Sequence, residues 1–189
     1  MKTRVLLPLV TSLLAGSAAA LTVAGTVDGS VPANTRLGAW VVTPFGQPVE
    51  EVVGVPVRAE RFSLDLPTTA PGSKALAPLT PQNVTWPGVI DPVAVSGQAQ
   101  VAELKFFTYV DTNNNGRRDS NEAMREVMPT AGRATLFVVW VSGDVTVKAN
   151  KGYVAGLKSG WNALLVDVGR AVNVQPYRAD VSLTVRMTK

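Results

Sequence analysis

The chain of 189 residues contains no histidine and no cysteine. Without histidine it lacks the commonest general base and the usual protein ligand of zinc and copper, which excludes histidine-dependent triad hydrolases and histidine-ligated metalloenzymes. Without cysteine it can form no disulfide bond. Its stability must therefore come from an apolar core, helped by a metal ion where one binds.

The N-terminus has the three parts of an export signal. Lys2 and Arg4 precede the apolar residues 5–14, and small residues end at Ala20. The apolar stretch is shorter than the roughly 20 residues that span a bilayer, which argues against the alternative of a membrane anchor. We expect residues 1–20 to be a cleaved signal peptide of bacterial type. Residues 21–189 should then form one domain in the periplasm or at the cell surface.

The mature chain has little excess charge. The formal net charge of +4 falls to +2 after cleavage, because Lys2 and Arg4 leave and no acid does. No basic run interleaved with aromatic residues follows, and no second apolar run approaches the length of a membrane span. We therefore expect no nucleic-acid partner and no membrane-spanning segment in the mature protein.

Short strand patterns recur along the mature chain. Residues 181–187 alternate between apolar and polar side chains, and residues 62–66 do the same until Pro67. Residues 135–141 are apolar on both faces, which predicts a strand in the middle of the fold. Only residues 120–128, closed by Pro129, are suited to a helix. The sequence thus predicts an all-β, antiparallel β-sandwich, immunoglobulin-like or transthyretin-like, with at most one short helix.

Residues 67–97 contain six of the thirteen prolines. Proline cannot donate to a sheet ladder, so most of this segment cannot be a central strand. An interdomain linker is one interpretation, but the segment has too many apolar side chains for a flexible tether. We expect a long loop packed on the sandwich.

One motif in the sequence has the residue types and spacing of a metal-binding loop. Residues 111–122, DTNNNGRRDSNE, match the twelve-residue calcium pattern with oxygen-bearing residues at alternate positions, a glycine at the turn and a closing glutamate. Calcium prefers six to eight oxygen ligands, which one such loop can supply. The predicted ligands are Asp111, Asn113, Asn115, the backbone carbonyl of Arg117, Asp119 and Glu122.

The alternative for this segment is a polar turn that binds nothing, since Asn, Asp and Gly also cluster in ordinary hairpins. A plain turn does not need acids at its first, ninth and twelfth positions together. Arg117 and Arg118 reduce the formal charge of the loop to −1, which predicts modest affinity and a structural role for the ion.

The flanks indicate the kind of calcium loop. Residues 103–110 alternate like a strand and not like a helix, and Arg118 stands where a paired EF-hand needs an apolar residue. A strand running into such a loop resembles the collagen-adhesin B-like and serine-aspartate-repeat B modules of bacterial surface proteins, over residues 104–122. A second resemblance, over residues 21–27 and 61–67, is to transthyretin-like, carboxypeptidase-regulatory-like sandwiches, which implies a non-catalytic module.

These observations predict an exported, non-catalytic β-sandwich with one structural calcium ion. It would act as a structural or binding component of the cell envelope, and its partner would be an envelope protein or a polysaccharide. One alternative is an enzyme, a glycosidase or lyase that uses two carboxylates converging in a cleft outside the loop.

Another alternative is a carbohydrate-binding module that uses exposed aromatic rings. The candidates are Trp40, Trp86, Trp140, Trp161 and Tyr177. Trp40 and Trp140 lie in apolar stretches and are predicted to be core residues, whereas Trp86 and Trp161 lie beside turn residues and are predicted to be exposed.

Overall fold

A computed structural model describes residues 21–187, and these residues form strands joined by turns, as predicted. The strands are β1 (Leu21–Asp28), β2 (Thr35–Val42), β3 (Pro48–Pro56), β4 (Arg61–Leu66), β5 (Ala77–Pro78), β6 (Ala94–Val95), β7 (Gln100–Val110), β8 (Arg125–Val127), β9 (Thr130–Ala131), β10 (Ala134–Val141), β11 (Val145–Lys148), β12 (Val154–Leu157), β13 (Gly160–Val168), β14 (Val172–Pro176) and β15 (Leu183–Arg186). Single 3₁₀ turns lie at Ser73–Ala75, Pro81–Asn83 and Asn150–Gly152. The predicted all-β sandwich is confirmed.

Local alternation explains several strands. In β4, Phe62, Leu64 and Leu66 are buried while the residues between them are exposed. Pro67 follows and lacks the N–H group that would continue the ladder. β15 shows the same pattern, with Leu183 and Val185 fully buried.

The strands belong to one large sheet that folds over on itself and to a small one. The central strands follow the order β3, β2, β7 and β10, with β13 on the other side of β10 and β14 beyond it, all antiparallel. On its other path the sheet continues from β10 to its hairpin partner β9, and then to β15, β1 and β4 in that order. β1 and β15 pair in parallel, so the prediction of a purely antiparallel sheet is wrong at this pair. These strands lie at opposite ends of the chain, and the long connection between them allows a parallel crossover.

The first core fills the space between the central strands and the layer of β4, β1 and β15. Its members include Val23, Leu37, Leu64, Leu104, Val138 and Leu183. Each comes from the inward face of its strand, because successive side chains on a strand point to opposite faces.

The second core covers the opposite face of β10 and β13. The small sheet of β12, β11 and β6 packs there together with residues 79–86 of the proline-rich segment, whose Leu79, Val84 and Trp86 are buried. Val138 lies in the first core and Val139 in the second, and both are completely buried. The predictions of a central β10 and of a packed proline-rich loop are therefore confirmed.

Residues 120–128, the segment suited to a helix, form none, which agrees with the prediction of at most one short helix. Its C-terminal part forms β8, which pairs with β7 and buries Val127 opposite Phe106. The burial of Val127 in a packed core outweighs the weak helix propensity of a nine-residue segment.

Within residues 21–187 no helix is long and apolar enough to cross a membrane. The predicted signal peptide, residues 1–20, lies outside the described residues.

Candidate metal centre

The loop of residues 111–122 connects two antiparallel neighbours. β7 ends at Val110 and β8, which begins at Arg125, returns alongside it, with Thr108 opposite Arg125. The N–H of Asp111 still donates to the carbonyl oxygen of Asn34, at 3.1 Å, next to β2. The predicted entry of the loop from a strand is therefore confirmed, and the first loop residue is anchored to the sheet.

In the first half of the loop, side-chain oxygens accept hydrogen bonds from backbone N–H groups that follow them in the chain. The carboxylate of Asp111 accepts hydrogen bonds from the N–H groups of Asn115, at 3.1 Å, and Gly116, at 2.8 Å. The side-chain oxygen of Asn113 accepts from the same N–H of Asn115, at 3.1 Å. That of Asn115 accepts from the N–H of Arg117, at 2.8 Å. Gly116 has φ +80°, a conformation that favours glycine, so it makes the turn as predicted.

The second half of the loop closes on the first. One oxygen of Asp119 accepts hydrogen bonds from the amide groups of Asn113, at 2.8 Å, and Asn115, at 2.9 Å. One oxygen of Glu122 accepts from the N–H and the hydroxyl of Thr112, at 2.7 and 3.0 Å, and the other accepts from the N–H of Asp119, at 3.0 Å. Glu122 thus ties the second residue of the loop to the ninth.

The carboxyl group of Glu122 is stabilised as a carboxylate by the hydrogen bonds it accepts. The N–H of Asp119, followed by the N–H of Thr112, lowers its pKa below the ordinary value of 4.5. Only 3% of the residue is exposed. This closing residue is therefore a buried, ionised oxygen donor at neutral pH.

The loop therefore brings together the side-chain oxygens of Asp111, Asn113, Asn115, Asp119 and Glu122, the five side chains among the six predicted ligand residues. Within residues 21–187, however, no three acidic side chains stand in an arrangement that would hold a metal ion by themselves. Backbone and amide N–H groups occupy one or two positions on each of these oxygens or carboxylates. A carboxylate offers about four acceptor sites, so these bonds do not exhaust them. Calcium ligation stays a prediction.

Two arginines contact the loop. Arg118 donates from Nε to the carbonyl oxygen of Glu122, at 3.0 Å, and so folds back on its own loop. Nη1 of Arg36, on β2, lies 3.9 Å from the Asp111 carboxylate. Arg36 therefore cancels the formal charge of −1 that the loop has by itself. Sequence reasoning missed this residue because nothing in a local pattern links positions 36 and 111.

No family model, curated protein or solved structure matches this chain. The resemblances to bacterial surface modules and to transthyretin-like sandwiches therefore depend on the short motifs that were their basis, and they stay predictions.

A cleft of about 260 Å³ opens where β8 and β10 separate along β7, and it bears on the enzyme alternative. Glu103, Lys105 and Glu126 line it, with Nζ of Lys105 2.9 Å from the Glu126 carboxylate. Burial raises the pKa of Glu103, although Trp86 and Lys105 lower it in part. Lys105 thus engages one of the two carboxylates, whereas a two-carboxylate mechanism requires both to face the substrate.

The five aromatic residues of the carbohydrate-binding alternative are all partly or fully buried. Trp86 was expected to be exposed, but only 2% of it is, and its ring packs 5.1 Å from that of Phe137. Trp40 and Trp140, expected in the core, are only partly buried, and so is Trp161, expected to be exposed.

Contacts with residues that are distant in the sequence explain these errors. Trp161 lies opposite Trp140 in the pairing of β13 with β10, and it packs against the first core. Tyr177 is buried in that core. Proximity to Pro87 or Gly160 marked turns correctly but did not reveal which side chains those turns bury.

Proposed function

We propose that residues 111–122 bind one calcium ion and that the protein is an exported, non-catalytic β-sandwich in which this ion is a structural clip. The ligands would be Asp111, Asn113, Asn115, the carbonyl of Arg117, Asp119 and Glu122. The ion would join the end of β7 to the start of β8.

One observation carries this proposal. Among residues 21–187 the buried charged side chains are Asp111 and Glu122, each 3% exposed. They are the first and the last ligand of the predicted calcium pattern. Burying a carboxylate is costly unless it is paired, hydrogen-bonded or bound to a metal. Here the partners are N–H groups of the loop, the Thr112 hydroxyl and, 3.9 Å from Asp111, the Arg36 guanidinium, which leaves acceptor sites on both carboxylates for a cation. A divalent cation between the two would compensate both charges.

The cellular role extends this proposal. Lys2, Arg4 and the apolar and small residues that follow support export, and the absence of cysteine leaves an ion as the available cross-link. The protein would then serve as a structural or binding component of the periplasm or cell surface, with an envelope protein or polysaccharide as its partner.

The experiment is calorimetric titration of mature, chelator-treated protein with calcium, together with thermal unfolding. Extracellular sites bind calcium with dissociation constants of about 10⁻⁴ to 10⁻³ M. At the weak end, calcium at about 10 mM would stabilise the fold by about 1.4 kcal/mol, or about 3–6 °C. Glu122→Gln should abolish binding and the shift. Glu60→Gln, which alters an exposed acid outside the loop, should leave both unchanged. Absence of heat and of any shift in the wild-type protein at this concentration would refute the proposal.

A further inference from the structure

The Glu51 side chain on β3 lies flat across the sheet. Gly38 and Gly54 face each other in the pairing of β2 with β3. A Cβ atom on Gly38 would lie 2.8 Å from Oε1 of Glu51, and one on Gly54 would overlap the same oxygen. The two glycines therefore leave the space that the carboxylate fills, since any larger residue would displace it toward solvent.

This carboxylate contacts the strand that leads into the calcium loop. The hydroxyl of Tyr109 donates to Oε1 of Glu51 at 3.1 Å. Tyr109 is on β7, two residues before Asp111.

β3 reaches Asp111 by a second route. Nη2 of Arg36 donates to the carbonyl oxygen of Gly54 at 2.9 Å, and Nη1 of the same guanidinium lies 3.9 Å from the Asp111 carboxylate. Arg36 is therefore held by β3 while it faces the first predicted ligand. The polar groups of β3 thus contact Tyr109 directly and are linked to Asp111 through Arg36 of β2.

We propose that Glu51 is a positioning residue for the calcium loop, holding Tyr109 and the adjoining loop backbone against the edge of the sheet. This inference rests on the proposed function. Outer groups that orient metal ligands commonly change metal affinity by about 10- to 100-fold when removed. Glu51 would act in this way without touching the ion.

The charge environment of Glu51 supports this assignment. Burial raises its pKa, while Tyr109, Arg36 and the backbone N–H of Arg118 lower it. The hydroxyl of Tyr109 is the hydrogen-bond partner through which Glu51 would act on the loop.

Linkage makes the coupling reciprocal: if Glu51 strengthens calcium binding, calcium must strengthen the structure around Glu51. β3 pairs with β2 alone among the described strands, so its amides are open to local unfolding. Calcium should therefore slow hydrogen exchange along β3 in the wild-type protein.

Three variants of the mature protein test this inference, each titrated calorimetrically with calcium well below its melting temperature. Glu51→Ala should weaken calcium binding by about 10-fold and remove the calcium-dependent protection of β3. Glu51→Gln keeps an oxygen acceptor for the Tyr109 hydroxyl and should restore most of the affinity. Glu50→Ala is the matched control, since this neighbouring carboxylate accepts from the N–H of Gly72, at 3.0 Å, and not from the loop.

The outcomes separate this inference from the proposed function. If wild-type protein binds no calcium, the proposed function fails and this inference fails with it. If wild-type protein binds calcium, three results would overturn the inference alone. These are wild-type affinity in Glu51→Ala, equal weakening in Glu50→Ala, and a Glu51→Gln variant no better than Glu51→Ala.

Discussion

The central strands lie between two other layers, one made of β4, β1 and β15 and the other made of the small sheet and the proline-rich segment. Two adjacent residues of β10 can test this arrangement. Val138 and Val139 are both completely buried, on opposite faces of one strand. A two-layer sandwich would bury one face of β10 and leave the other in water. Replacing each valine by alanine therefore measures whether both faces are covered.

The expected cost follows from the atoms removed. Each substitution deletes two methyl-sized groups, worth about 0.8 kcal/mol each in transfer free energy, and leaves a small cavity that adds to the loss. We expect each variant to lose about 2–3 kcal/mol of unfolding free energy. In a domain of this size that corresponds to a fall of about 5–10 °C in melting temperature.

Urea unfolding followed by circular dichroism, in the presence of chelator, provides the measurement. The m-value should not change, so that shifts in midpoint report stability alone. Val168→Ala is the matched control, because this valine is 56% exposed at the end of β13 and should change stability by no more than about 0.5 kcal/mol. If Val139→Ala behaved like the control while Val138→Ala was strongly destabilised, the third layer would not cover β10 and the described architecture would be incorrect.

Two further predictions concern the β1–β15 pair and a surface ion pair. Gly25→Ala should destabilise the fold by about 1–3 kcal/mol in urea unfolding, because the added Cβ atom would overlap the carbonyl group of Leu183. The control is Gly156→Ala, whose added Cβ atom would lie in open space and should leave stability unchanged or raise it. Equal effects of the two substitutions would contradict the close packing of β1 against β15. Hydrogen bonds from Lys158 and then from the N–H of Ser159 lower the pKa of Asp144 in the folded protein. The stability that Asp144 contributes is therefore complete above its ordinary pKa of 3.8, and it is lost as the pH falls through the lower pKa of the folded protein. NMR titration should give a pKa below 3.8 that rises in Lys158→Met, and an ordinary value in the wild-type protein would refute this.

Local patterns were sufficient for elements whose structure depends on near neighbours. The alternation of residues 62–66 and the stop at Pro67 define β4 without knowledge of its partner strand. The two-sided apolar run at residues 135–141 correctly predicted a central strand. The acids and asparagines of residues 111–122 predicted a turn around Gly116, because that turn is made by hydrogen bonds within the loop.

Features that depend on distant residues were not predictable. Arg36 and Glu51 approach the loop only because β2 and β3 pair beside β7, and no spacing in the sequence reports that arrangement. The parallel pairing of β1 with β15 likewise joins the ends of the chain. Trp86 was placed wrongly for the same reason, since its burial depends on Phe137 and the rest of the second core.

The short pairing of β8 with β7 explains why an ion would be useful at this loop. β8 has three residues and three partners on β7, and Val127 is its buried apolar side chain. So short a strand buries little apolar surface, and the long loop before it adds closure entropy to the cost of ordering it. A disulfide bond can meet this need in other proteins, but this protein has no cysteine. Glu122 is buried three residues before β8, so an ion held there would shorten the free part of the connection and stabilise the pairing of β8 with β7.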